Sequence, residues 1–372
     1  LGRTTNITTL SKKINVFAPI NDLGYGIASK NIIRGIHNSE TEISLFSIGP
    51  PQLSSEEEAT FFGQFANNQS TFDANAPCLK IWHEHSMAER IGRGKFFGFP
   101  FFEIDKFNER RKIHLNSCDS IIVASQWAKE IIEDQVPNKE VHVVPLGVDA
   151  SIFSAKTPVR TDKCIFFNCG KWEVRKGHDL LLHFFKEAFP YEDDVELWMM
   201  CSNPFLRPEE SQRWEGFYKQ DPRVKIIGRV ESQNELAEIM RSTSCGIFPS
   251  RAEGWNLEIL EMMALGKHII TTNYSAHKEF CTEENSFLIN PLKKEPAVDG
   301  KWFDGEGEWA SLDGIEEEFM KHMKKFYLMW KDSKEPITNE QGIKTTDDFS
   351  WNATGKKLLE IICENKSKKA SS

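Results

Sequence analysis

The chain has 372 residues, with 46 Lys and Arg against 55 Asp and Glu, a formal net charge of −9, and 40% hydrophobic and 27% charged residues. That length exceeds what one hydrophobic core usually serves and predicts two domains. The acidic balance argues against nucleic acid as a partner, and 27 Phe with 10 Trp exclude a disordered chain.

Residues 1–12 read as a loose arm, and 14–18 as a buried strand. A loop over 19–26 leads into a helix with Ile27, Ile32, Ile33 and Ile36 at apolar-periodic positions. Residues 42–48 alternate like a second strand, 49–77 read as polar and irregular, and 79–82 as a third short strand ending at His83-Glu84-His85. Strand 120–124, helix 126–135 and strand 140–145 complete an alternation that gives a parallel sheet with helices on both faces. The pattern then restarts, with strand 163–168, helix 179–188, strands 195–201 and 224–227, helix 234–242, strand 245–249, a helix from Leu257 to Leu265, and strand 268–271. Two doubly wound units follow from this, joined near 148–162, where Asp149 and Pro158 break the pattern. Residues 293–313 read as an ordered surface insertion, 315–330 as a long helix, 352–363 as a last helix and 366–372 as a frayed tail.

Eight scattered cysteines lack zinc-site spacing and read as buried, reduced thiols, so a cytoplasmic protein is expected. No signal peptide and no apolar run of bilayer length is evident.

The most informative stretch is 248–266, where Glu253 and Glu261 stand eight positions apart. Glu253 falls in a loop with Gly254 and Asn256, and Glu261 falls about one turn into the following helix. A helix start offers free N–H groups and partial positive charge to a phosphate. Carboxylates on either side accept hydrogen bonds from hydroxyls, a combination that suits a nucleotide-sugar. The segment follows a strand, and ligands of open α/β sheets bind past such strand ends. Lys171 and Lys176, on a turn with glycines between strand and helix, are a candidate clamp for a diphosphate leaving group, with Arg175 a third donor. Gly228, Arg229 and Val230 end another strand, where a base could meet backbone groups. Gly24 and Gly26 could bring N–H groups to a phosphate, although their spacing fails as a dinucleotide fingerprint. A lone His83-x-His85 pair with one acid suggests a metal but is usually no site, so no metal is expected.

Together these pieces resemble a retaining glycosyltransferase of the GT-B fold, in glycosyltransferase family 4. The resemblance is carried by Val144-Pro-Leu-Gly-Val-Asp149 with Phe153, Gly170-Lys171 with Lys176-Gly177, Pro249-Ser250 with Glu253-x7-Glu261, and Phe349-Ser-Trp351 before the final helix. It implies two Rossmann-like domains facing a central cleft: an acceptor-side domain over 1–155 and a nucleotide-sugar domain over 156–349, with the helix in 350–372 crossing back. It further implies that Glu253 holds donor-sugar hydroxyls and that backbone N–H groups of Gly254, Trp255, Asn256 and Leu257 lie near sugar and phosphate. Glu261 takes the ribose, Lys176 the diphosphate, and Gly26 lies near the phosphates. His83 is expected as the histidine at a strand end, with His85 second, and Glu103 in an aromatic-Glu segment faces the acceptor. Lys171 stands where the family usually has arginine, keeping charge but losing the bidentate fork. Asn256 replaces a common glycine and Glu258 a common proline beside the donor sugar.

The implied reaction is metal-independent transfer from a nucleoside-diphosphate sugar, UDP preferred over GDP, to an acceptor hydroxyl, with no further cofactor. The acceptor is a glycan, a lipid or another hydroxyl compound. The basic residues Arg90, Arg93, Lys95, Lys106, Arg110, Arg111 and Lys112 leave room for weak peripheral membrane contact. A nucleotide-sugar epimerase on the same fold and a non-catalytic nucleotide-sugar-binding module are the alternatives.

Overall fold

The computed structural model describes residues 12–37, 41–155, 160–230 and 232–364. The expectations for 1–11, for the tail 366–372 and for 156–159 within the joint lie outside the described residues.

Six strands, β1 (Lys13–Ala18), β2 (Glu42–Ser47), β3 (Cys78–His83), β4 (Phe96–Phe101), β5 (Ser120–Val123) and β6 (Glu140–Val143), form a parallel sheet in the order β2-β1-β3-β4-β5-β6. Helices α1 (Gly24–His37), α2 (Glu56–Asn67), α3 (Glu109–Asn116) and α4 (Gln126–Gln135) connect them. Strands covered on both faces need apolar side chains at successive positions. Phe96 to Pro100 of β4 and all of β5 are buried accordingly.

The second half repeats this plan. Strands β7 (Cys164–Gly170), β8 (Val195–Cys201), β9 (Val224–Ile226), β10 (Cys245–Phe248), β11 (His268–Thr272) and β12 (Phe287–Ile289) pair in parallel in the order β12-β11-β10-β7-β8-β9. Helices α5 (His178–Ala188), α6 (Pro208–Tyr218), α7 (Gln233–Arg241), α8 (Leu257–Ala264), α9 (Glu316–Asp332) and α10 (Glu340–Thr346) belong to this half, and α11 (Trp351–Glu364) follows. A phenyl-rich core of Phe166, Phe184, Phe185, Phe189 and Phe326 fills the space between β7, α5 and α9.

The last helix returns to the first sheet's side. Its Gly355 meets Gly35 of α1 so closely that a Cβ on either would lie 2.3 Å from partner backbone. Val148 pairs with Ser350 in an isolated bridge, and Thr354 Oγ1 donates to Pro145 O at 2.8 Å. The two chain crossings between the halves thus run side by side.

Five segments differ from the sequence expectations. Residues 49–77 contain α2, whose Phe62 and Phe65 are buried while its polar face meets solvent. Residues 96–101, 109–116 and 208–218 also form elements that periodicity does not reveal. The insertion at 293–313 is an antiparallel hairpin of β13 (Lys294–Val298) and β14 (Asp304–Ala310). It reaches the first half: Glu308 N donates to Asp105 Oδ1 at 2.7 Å, Arg111 pairs with Glu306, and Trp309 and Ala297 share a buried cluster with Phe102, Ile104 and Phe107.

In both sheets the strand order reverses beside the first strand, between β1 and β3 and between β7 and β10. Crevices beyond strand C-termini at such points are where doubly wound sheets take ligands.

Candidate active site

The segments after β1, β3, β4, β7 and β10 carry the side chains of interest. Gly177 caps α5 with φ +74°, and a Cβ there would lie 2.1 Å from Pro249 O. Glycine alone therefore lets the turn after β7 fold back against the loop after β10. That contact brings Arg175 and Lys176 to Glu253.

Glu253 is buried and nearly saturated. Its Oε1 accepts from Lys176 Nζ at 2.8 Å and from Ser250 Oγ at 2.9 Å, and its Oε2 accepts from Arg175 Nη1 at 2.7 Å. Burial pushes its pKa up, but Arg175 and Lys176 outweigh that and hold it well below the usual carboxylate range. Arg175 also binds Glu173 Oε2 through Nε and Nη2 at 3.1 and 2.6 Å, and Ala252 O at 2.6 Å. Lys171 is 40% exposed and pairs with Glu173 Oε1 at 3.2 Å. Three cations thus face two carboxylates, leaving one net positive charge. Lys176 spends one of its three N–H groups on Glu253, and Glu253 uses about three of its four lone-pair sites. Both keep capacity for a ligand.

Arg175, expected as a phosphate donor, is a buried hub between Glu173 and Glu253. Glu173 and Ser250 belong to this network; Ser250 falls in the Pro249-Ser250 motif, whereas no spacing in the sequence marks Glu173.

Across the cleft, Gly254 lies against Phe101 and Phe102, whose nearest atoms are 3.1 and 3.3 Å from the place a Cβ would occupy. Glu103 follows directly; burial raises its pKa, Arg175 opposes that, and Glu253, Glu173 and Glu84 add to it. His83 packs on Tyr25 with ring centroids 4.6 Å apart. Burial lowers its pKa to about 4, so the imidazole is neutral at neutral pH. Tyr25 OH donates to Phe101 O at 2.6 Å, tying the first turn of α1 to the end of β4. Gly26 faces Asn21, and Gly24 is open to solvent.

His83, Glu84 and His85 place candidate ligand atoms within 4.8 Å of one another. The two imidazoles are stacked with 17° between planes, so their lone pairs do not converge on one point. Glu84 Oε1 already accepts from Arg111 Nε at 2.7 Å. These features fit a hydrogen-bonded turn better than a metal centre. Arg111, Lys95, Arg90 and Lys112, from the basic group noted above, each face an acid.

Behind the loop after β10, Asn256 adopts φ +82° at the start of α8, a conformation that suits glycine and that asparagine tolerates. Its Nδ2 lies 3.0 Å from His277 Nε2, while His277 Nδ1 lies 3.1 Å from Thr272 O. An Nδ1–H donating to that carbonyl leaves Nε2 to accept from the amide. Trp255 turns its indole into an aromatic cluster with Phe280 and Phe349, leaving its backbone beside Gly254. Glu261 is buried, and no described residue gives its carboxylate a hydrogen bond or an ion pair. Burial and then Glu258 raise its pKa well above the ordinary value. At the end of β9, Gly228 and Arg229 are exposed and Val230 is partly buried, and Arg229 Nη2 donates to Asp22 O of the first half at 2.9 Å.

Comparison with known proteins agrees with this architecture. Residues 163–299 match the family described as glycosyl transferases group 1. A curated relative, an MMP α-(1→4)-mannosyltransferase of Mycolicibacterium hassiacum, is 27% identical over 208 residues, covering 52% of this chain and 47% of that protein. The chain spans about half the length of the curated relatives it matches. Sucrose-phosphate synthase from Thermosynechococcus elongatus superposes with a TM-score of 0.71 at 14% identity, over 97% of this chain and 100% of that one. Anabaena HepE, solved with UDP and glucose, superposes with a TM-score of 0.66 at 13% identity, over 95% of this chain and 100% of that one. No described helix is long and apolar enough to cross a membrane. The second half of the chain thus matches the glycosyl transferases group 1, and the chain as a whole has two six-stranded parallel sheets in the arrangement of the GT-B fold.

Proposed function

We propose that the protein transfers a hexose from a nucleoside-diphosphate sugar, UDP preferred, to an acceptor hydroxyl, with retention at the anomeric carbon. The observation that carries this reading is the Lys176–Glu253–Arg175 cluster at the mouth of the cleft, with the partnerless carboxylate of Glu261 one turn inside α8.

In this reading the ribose hydroxyls donate to Glu261, whose burial without a protein partner supports an external one. The diphosphate meets the N–H groups at the start of α8 and the free N–H groups of Lys176, with Lys171 at the solvent side. Glu253 holds the sugar through its remaining lone pair. As the bond from the sugar to phosphate breaks, the developing negative charge is stabilised by these donors. The departing phosphate takes the acceptor proton on the same face, so no carboxylate serves as general base. His83, neutral, offers one N–H and one lone pair to hydroxyls at the reacting end. No metal has a role. UDP over GDP draws support from the UDP bound to Anabaena HepE.

A thermal-shift screen of UDP- and GDP-sugars, followed by NMR of the donor with and without acceptors, tests the proposal. UDP-sugars should stabilise the chain and be consumed only with an acceptor. Conversion of donor alone would make it an epimerase, and binding without conversion a binding module.

A further inference from the structure

A second cavity lies outside the interdomain cleft. It has a volume of about 420 Å³ and sits between the loop after β7, helix α6 and the tip of the β13–β14 hairpin. Trp172, Trp214, Phe217 and Trp302 line it. Trp214 lies parallel to the buried Trp172, 5.7 Å away with 4° between planes, so its ring is held rigidly. Trp302, at the hairpin tip, is 40% exposed.

The acidic groups of this cavity are compensated from within the protein. Asp179 takes a bidentate pair from Arg251 at 2.8 and 2.9 Å. Glu210 accepts from Lys301 Nζ at 2.6 Å. Asp299 Oδ1 accepts from the backbone N–H groups of Lys301, Trp302 and Phe303. Glu173 is engaged by Lys171 and Arg175. Arg213, the remaining charged group of the wall, is exposed, and its guanidinium can donate to the hydroxyls of a ligand. Rigid indole faces beside fixed hydrogen-bonding groups suit an uncharged ligand with an apolar face and many hydroxyls, which describes a pyranose ring.

The cavity also borders the ion-pair network of the proposed reaction site. Lys171 Nζ stands 5.7 Å from the ring centroid of Phe205, which is 57% exposed, and the adjoining Leu206 lines the cavity. Glu173 forms part of its wall and also holds Arg175, which holds Glu253. Exposed Phe205 thus stands between Lys171 and the residues that open the cavity wall, beside Leu206.

We propose that this cavity is a carbohydrate subsite that grips distal residues of a neutral oligosaccharide whose end enters the cleft. The proposal rests on the glycosyltransferase reading for its account of the acceptor, but its binding test does not.

Calorimetric titration of the full chain with maltohexaose, mannohexaose and chitohexaose, with and without UDP, is the experiment. At least one hexaose should bind, and Trp302→Ala should weaken it about tenfold, the usual scale for losing an aromatic anchor. Phe205→Ala, a second surface change, should weaken hexaose binding in the same direction. UDP affinity should be unchanged in both variants. If none of the hexaoses binds, or if both variants bind them as the parent does, the subsite is refuted. UDP binding in the same titrations would then leave the donor reading standing. Hexaose binding lost in the variants while the parent fails to bind UDP would support the subsite and sink the donor reading.

Discussion

Glu261→Gln should make the free protein more stable and its nucleotide complex weaker. The carboxylate is buried without a partner, and its pKa stands well above the ordinary 4.5. The unfolded chain releases this proton near the ordinary value while the fold retains it. Stability therefore falls as pH rises from that value toward the raised one, because the folded state then binds more protons. Glutamine keeps the shape and removes the ionisation, so the penalty tied to the raised pKa disappears, about 1.4 kcal/mol for each pH unit between the ordinary value and the working pH. In a domain of this size each kcal/mol is worth about 2–4 °C in Tm. Nucleotide binding should move the other way. Hydrogen bonds to a charged acceptor contribute about 1.5–3 kcal/mol, so UDP affinity should drop roughly 10- to 150-fold. Ribose hydroxyls favour the charged form, so parent binding should release a proton and its apparent enthalpy should vary with the buffer's ionisation enthalpy. Calorimetry in two buffers and a melting scan read both effects. A variant that melts lower than the parent, or that binds UDP equally well, would refute the reasoning.

Lys176→Ala should lower transfer by about 10²–10³, the scale for removing one donor to a developing oxyanion, and near-normal turnover would remove Lys176 from the clamp. Gly177→Ala should destabilise the chain by about 1–3 kcal/mol, because φ +74° and the Pro249 carbonyl leave no room for a methyl; denaturant titration measures it. His178 and His277 are buried, and burial lowers their pKa values to about 3 and 4. The unfolded chain protonates both near 6.5, so stability is full above that value and falls as pH drops toward 4. The slope should approach about 3 kcal/mol per pH unit for the pair, seen as a steep loss of Tm.

Much of the fold could be read because parallel strands must be apolar at nearly every position, as in 164–168 and 245–248. Helix α2 escaped because its stripe is only Phe62 and Phe65 behind three glutamates. Its signal was an N-cap serine followed by glutamates: Ser55 Oγ accepts from Glu58 N, and Glu58 accepts from Ser54 N. Pro208 at the start of α6 was a similar cue. The hairpin at 294–310 shows no clean alternation because Pro296, Gly305 and Gly307 interrupt it. In the candidate site, the Glu253 and Lys176 pairing follows from motifs that sit at strand ends. Glu173 and His277 act through contacts made only after folding, so nothing local in the sequence marks them. The same holds for the burial of Arg175, which turns an expected ligand donor into a structural ion-pair hub.

The side-by-side placement of the two crossings at 147–148 and 349–351 has a mechanical consequence. One tether would let the lobes swivel about any axis, whereas two tethers fastened to each other by the Val148–Ser350 bridge act as a pair of pins. Relative motion is then confined to opening and shutting about one line, like a door on its jamb, and each swing returns the same pair of surfaces to register.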